Sequence, residues 1–239
     1  KKYYVPNNAI LVVAGDIQID ATKKMIADYF GAIPRGADVD RVAEQEDPIT
    51  ETIEAKAYDS NIQIPAVVAA YRMPSIKTRD SKVLDMISTY LSDGNSSKLY
   101  RKMVDEKKMA LQVGAFNVSQ EDYGMYLIFG LPLGETSLES IISEIDEEVV
   151  KIQEDLISEK DYQKLQNKFE TNFVDSNSSV EGIANSLAEY YAFYKDTNLI
   201  NSEIEIYRSI SREEIQAVAK KYLNPNQRLV LDYLPESSK

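Results

Sequence analysis

Two β-rich segments, residues 110–118 and 123–133, are joined through the short stretch 119–122. A connection of that length joins antiparallel neighbours, because a parallel crossover needs a dozen or more residues. The chain must therefore build a sheet around this hairpin. The sequence on either side is helical. Residues 78–92 place Val83, Leu84, Ile87, Tyr90 and Leu91 on one stripe, and residues 137–156 carry Leu138, Ile141, Ile142, Ile145, Val149 and Ile152 at helical spacing. Hairpins interspersed with helices predict an α+β fold, a mostly antiparallel sheet covered by helices.

Further elements follow from the same patterns. Residues 9–14 (AILVVA) form a continuous apolar run, which reads as a buried strand ending at Gly15-Asp16. Asp20 is placed to cap the next helix, whose Met25, Ile26, Tyr29 and Phe30 share a face expected to enter the core, and Gly31 stops it. After Pro34 and Gly36, residues 37–48 are acidic and irregular, the natural flexible connection. Strands are expected at 49–57 and 63–72, and Ser96 or Ser97 should cap a short helix carrying Leu99, Tyr100 and Met103. Ser158 caps a helix running through Tyr162, Leu165, Phe169 and Phe173, and another helix covers 180–194. Ser211 and Glu214 have capping-box spacing, and 228–234 closes the chain as a strand. No internal repeat and no low-complexity segment is read from the sequence.

Composition enters mainly by what it excludes. The 239 residues include no histidine and no cysteine. Disulfides, thiolate ligands and cysteine nucleophiles are ruled out together, and so is a Ser-His-Asp triad. A catalytic zinc site normally takes at least one imidazole, so no metal, catalytic or cofactor-binding residue is assigned in this chain. The balance of 27 basic and 39 acidic residues gives a net charge of −12, which repels phosphate backbones and argues against nucleic acid as a partner. The apolar runs at 9–14 and 64–71 are too short to span a bilayer. Lys1-Lys2-Tyr3-Tyr4 leads directly to Pro6 with no signal-like apolar stretch, and these first residues read as the continuation of a longer polypeptide.

Several segments in order resemble one family. Tyr4-Val5-Pro6-Asn7-Asn8 feeds an apolar strand ending in Gly15-Asp16, and a helix then ends in Tyr29-Phe30-Gly31, followed by Ile33-Pro34 and Gly36. Ser96-Ser97-Lys98-Leu99-Tyr100 follows a glycine turn, and Ser211 through Leu223 precedes a last strand. In this order they resemble the second, inactive subdomain of one half of an M16 (pitrilysin/insulinase-like) zinc peptidase. The resemblance implies a LuxS/mitochondrial-processing-peptidase-like metallohydrolase fold, with residues 1–239 forming the C-terminal inactive domain. It also implies a zinc carried on an inverted His-x-x-Glu-His motif in a preceding domain, where a metal-bound water and a glutamate base act on a peptide.

The family's substrate-holding Arg and Tyr align here with Val104 and Leu111, and the Gly between them with Lys108. Neither Val104 nor Leu111 can donate a side-chain hydrogen bond. The resemblance therefore implies a non-catalytic domain of a zinc metalloendopeptidase that forms part of the peptide chamber and supports the zinc-bearing domain. Its implied partners are a peptide substrate, that zinc-bearing domain, and a second M16 half or partner subunit. The compartment stays open, periplasmic or membrane-associated for the longer protein, or cytoplasmic. Two other readings stay open beside this one. The first is a purely structural or interaction module related to the inactive M16 core subunits of respiratory complexes, and the second is an unrelated acidic α+β binding domain.

Overall fold

The computed structural model describes residues 2–40 and 46–239. Part of the expected acidic connection, 41–45, lies outside the described residues, and 37–40 and 46–48 carry no regular structure. The chain forms two compact units, one from residues 1–45 with 169–205 and the other from 46–168 with 206–239.

The second unit is built on a five-stranded sheet. Its strands are β1 (Ile53–Asp59), β2 (Ala66–Pro74), β3 (Ala110–Val118), β4 (Tyr123–Pro132) and β5 (Leu229–Pro235), in the order β1-β5-β2-β4-β3. The hairpin β3–β4 is antiparallel as its short connection requires, with Ala115 opposite Ile128. Strand β5 is inserted between β1 and β2, parallel to β1 and antiparallel to β2. Along β2 burial alternates, with Val67, Ala69, Tyr71 and Met73 buried and the residues between them half-buried.

Helix α2 (Arg79–Ser92) starts at Thr78, whose side chain accepts from the Ser81 N–H, and buries Val83, Leu84, Ile87 and Leu91 completely. Helix α3 (Leu138–Glu154) begins at Ser137 and buries Ile141, Ile145, Val149 and Ile152. It approaches β4 closely, and a Cβ at Gly130 would lie 2.4 Å from Ile141 Cγ2. Glycine is the residue that lets the helix sit there.

Ser158 accepts from the Asp161 N–H at 3.1 Å and opens α4 (Glu159–Ser176). Helices α5 (Val180–Tyr194), α6 (Glu203–Arg208) and α7 (Arg212–Tyr222) follow. Ser211 caps α7 through the Glu214 N–H at 3.1 Å. The reciprocal half of the expected capping box does not form, because the Glu214 carboxylate takes the Arg79 guanidinium instead, with Nη2 at 2.9 Å from Oε2. A bidentate charged partner outcompetes one backbone N–H.

The short helix expected after Ser97 is a π-helix, Tyr100–Glu106. Neither serine caps it. Ser96 Oγ meets Lys164 Nζ, and the Ser97 hydroxyl is buried without a hydrogen-bond partner among the described residues. The π-helix closes with Met109 N–H on the Met103 carbonyl at 2.9 Å, which forces Lys108 to φ +50°. A β-carbon there is crowded against the backbone, and glycine is not. This is the position where the resembled family carries glycine. Lys108→Gly is therefore expected to stabilise the chain by about 1 kcal/mol despite the more flexible unfolded state. Urea unfolding checks it, and a loss of stability would mean that the lysine side chain contributes more than the backbone costs.

The first unit contains a 3-10 turn (Pro6–Asn8), α1 (Ile19–Phe30), the later part of α4, α5 and a second 3-10 turn (Thr197–Asn201). Three expectations fail here. Residues 9–14 are not a strand, since no described strand pairs with them. Asp20 does not cap α1; the N-cap is Gln18, which makes no side-chain cap bond, and Asp20 sits in the first turn. Tyr29 and Phe30 do not enter a core but are 75% and 55% exposed. The tyrosines of α5 divide. Tyr190 is buried, with its hydroxyl on Glu203, while Tyr191 is exposed.

Candidate functional site

The exposed residues of the first unit have the sequence character of a core. A run such as AILVVA fits a strand buried on both faces, yet Ile10 and Val13 are exposed and Leu11 is 56% exposed. The exposure continues through Ile17, Ile19, Met25 and Ile33. Isolated surface apolars are ordinary, but a contiguous set of large ones marks an interaction surface.

The entry to this segment is fixed by turn chemistry. Asn8 N–H donates to the Val5 carbonyl at 2.9 Å, Asn7 Oδ1 accepts from Gly36 N–H at 2.9 Å, and Asn7 Nδ2 donates to the Ala37 carbonyl at 3.3 Å. A Cβ at Gly36 would lie 2.4 Å from Val5 Cγ1, so the approach needs glycine. The turn therefore fixes where the apolar segment starts, and within it Ile10, Leu11 and Val13 are exposed while Val12 and Ala14 are half-buried.

The same turn occurs a second time. Lys1-Lys2-Tyr3 with Pro6-Asn7 matches Lys220-Lys221-Tyr222 with Pro225-Asn226 at identical spacing. Gln227 N–H donates to the Asn224 carbonyl at 3.0 Å, the counterpart of the Asn8–Val5 bond. This is a short internal repeat of five identities in seven residues, too short to stand out in the sequence without the likeness of the two turns. Its consequence is specific. Residues 10–16 correspond to β5, which in the second unit is paired on both sides, by β1 and β2. The first copy has the turn and the apolar strand pattern but no sheet among the described residues.

In the second unit, α3 and the β1–β5 end of the sheet enclose a groove of about 980 Å³. At one end lies Arg228, 5% exposed, whose guanidinium meets Asp146 through both terminal nitrogens, Nη2 to Oδ2 at 2.8 Å. Its Nη1 also donates to the Tyr71 hydroxyl at 2.8 Å, while Nε has no partner among the described residues. Burial pushes the Tyr71 hydroxyl up to about 12. Burial works to lower the Arg228 pKa, but the bonds to Asp146 and the adjacent Tyr71 outweigh it and raise it.

Val104 is half-buried in the π-helix, and Leu111 is the extra residue of a β-bulge on the edge strand β3, 46% exposed. Leu111 is thus not core, and a larger side chain there would meet solvent rather than overpack. No three or more Asp or Glu side chains among the described residues are grouped to hold a metal ion, and the chain has no His or Cys to join them. No described helix is long and apolar enough to cross a membrane.

Comparison with known proteins converges on one family. Residues 1–169 match the family model of the peptidase M16 inactive domain. The zinc protease PqqE of Helicobacter pylori is 22% identical over 229 residues, which cover 94% of this chain and 51% of that protein. The crystal structure of a protease from Helicobacter pylori superposes with a TM-score of 0.88 at 21% identity, covering 97% of this chain and 56% of the other. The crystal structure of a peptidase M16 inactive domain from Pseudomonas fluorescens gives a TM-score of 0.76 at 14% identity, covering 92% of this chain and 52% of the other. The chain spans about half the length of these relatives.

Proposed function

The chain belongs to the peptidase M16 inactive-domain family, and from that premise we propose that it is the non-catalytic domain of a zinc metalloendopeptidase, completing and supporting a zinc-bearing domain of like fold. Residues 1–239 would act as one inactive C-terminal domain. In this reading residues 10–14 enter the sheet of the zinc-bearing domain in the place that β5 takes here, between the counterparts of β1 and β2. Helix α1 follows and lays its apolar face on that domain, while the sheet of the second unit forms part of the wall of a peptide chamber.

The observation that carries this reading is the apolar segment 9–14, preceded by a turn like that of β5 and without a strand partner among the described residues. Burying such a segment removes a row of unpaired backbone groups and apolar side chains from water together. The residues present do not fit a zinc ion, so the chemistry is assigned to the other domain. Val104 and Leu111 lack donors for a substrate backbone, so those contacts are assigned to a second M16 half or partner subunit.

Phe30 tests the reading. In the 239-residue chain, Phe30→Ala should cost less than about 1 kcal/mol, because the ring is largely in water. In the longer protein carrying the zinc-bearing domain the same change should cost about 3–5 kcal/mol, the range for a buried aromatic. Equal losses in the two settings, measured by denaturant unfolding, would exclude the proposed contact.

A further inference from the structure

Strand β1 ends the sheet, with β5 on one side and no strand among the described residues on the other. The parallel ladder divides its backbone between the two sides. Ile53 N–H donates to the Arg228 carbonyl at 2.8 Å, so the N–H and C=O of Ile53, Ala55 and Ala57 turn to β5. Those of Glu54, Lys56 and Tyr58 turn outward. The opposite edge is β3, where the bulge at Leu111 breaks the register, while β1 keeps its register with β5 from Ile53 to Asp59. A row of unpaired backbone groups on a regular edge is a template for another strand.

The side chains of β1 select which strand fits. Glu54 and Lys56 lie on the face of Asp232, the register partner of Lys56, and Ile53, Ala55 and Ala57 lie on the other. A lysine in the middle of an edge opposes pairing with strands in general unless a carboxylate stands opposite it. Lys56 is 63% exposed and reaches Asp232 only at 3.8 Å, and Glu54 is exposed. Strand β1 supplies the match when it is turned round on itself. About a two-fold axis at Ala55, an antiparallel pair sets Glu54 of each copy opposite Lys56 of the other. These are residues whose backbone groups turn outward, so each pair exchanges its N–H···O=C bonds in both directions. Ala55 then faces Ala55, and Ile53, 47% exposed, packs on Ala57. Moving the axis to Glu54 or to Lys56 sets that residue against its own copy, and like charges directly opposite destabilise a sheet.

We propose that β1 is a self-complementary edge at which a second copy of this chain adds antiparallel, joining the two five-stranded sheets into one. The contact is one strand per copy, so the dimer is of the weak, transient kind. It belongs to the second unit and does not rest on the role proposed for residues 9–14. The chain has no cysteine, which lets a single introduced thiol report the register. Across the axis the Cα atoms of residue 55 stand about 4.5 Å apart as a non-hydrogen-bonded pair, within disulfide reach. Those of residue 57 are offset by about 13 Å along the strands. Under oxidised glutathione, Ala55→Cys is expected to form a covalent dimer faster than Ala57→Cys by about tenfold or more, equivalent to about 1.4 kcal/mol. Adding Lys56→Glu should slow the Ala55→Cys cross-link by a similar factor, and Glu54→Lys together with Lys56→Glu should restore it. Sedimentation of the unsubstituted chain should show a dimer that grows with concentration. Equal cross-linking of the two cysteines, indifference to Lys56→Glu, a double reversal no better than the single one, or a chain still monomeric at about 1 mM would each overturn the proposal. Loss of the cross-link on Leu11→Asp would overturn it as well, by making the apolar segment of the first unit the contact.

Discussion

Asp146→Ala is expected to destabilise the second unit by about 3 kcal/mol, near the lower end of the range for breaking a buried ion pair. The loss comes from what remains. Arg228 is 5% exposed and cannot shed its proton, so without Asp146 it keeps a buried charge with the Tyr71 hydroxyl as its remaining hydrogen-bond partner among the described residues. Asp146 is itself 27% exposed on the groove side, so water entering its place solvates the guanidinium in part, which sets the estimate at the low end. Asp146→Asn keeps one acceptor and should cost less than alanine. Equilibrium unfolding in urea distinguishes the outcomes. A loss below about 1 kcal/mol for alanine would mean that water in the groove already carries much of the charge.

Leu11→Asp should behave differently in two settings, and the contrast is the larger expected effect. In the 239-residue chain the side chain is 56% exposed, so a carboxylate there should change stability by no more than about 0.5 kcal/mol. In the longer protein the proposed position lies inside a sheet, where an unpaired carboxylate costs several kcal/mol and either unfolds the zinc-bearing domain or expels the strand. Peptidase activity of the longer protein should then fall about a hundredfold or more, equivalent to about 2.7 kcal/mol. Activity within a factor of two of the parent, with the isolated chain equally unaffected, would show that residue 11 stays in water throughout.

Local chemistry made most of the second unit legible in the sequence. The 119–122 connection gave the hairpin, the stripes of α2 and α3 gave their buried faces, and Ser158 and Ser211 act as the caps expected of them, while the caps at Thr78 and Ser137 were not read from the sequence. The failures have two physical sources. One is competition for a polar group, as when Arg79 takes the Glu214 carboxylate from the capping box. The other is that periodicity reports what a segment is suited to bury and not where its partner lies. Residues 9–14 and the face of α1 were read as surfaces buried within this chain, and their large apolar side chains are largely exposed instead. Lys108 was legible only as a departure from the glycine that the resemblance implies, and its backbone stands at φ +50°. The groove left no sequence signal, because its walls come from α3 and from strands far away in the chain.

Amide hydrogen exchange at residues 10–14, measured in the 239-residue chain and in the longer protein that carries the zinc-bearing domain, tests the central claim most directly. No strand among the described residues pairs with them, so their amides should exchange with little protection in the isolated chain. In the longer protein they should be slowed by about a thousandfold or more, roughly 4 kcal/mol, as for a paired strand inside a sheet. Amides that exchange equally fast in both settings would contradict the claim that this segment completes the sheet of a zinc-bearing domain.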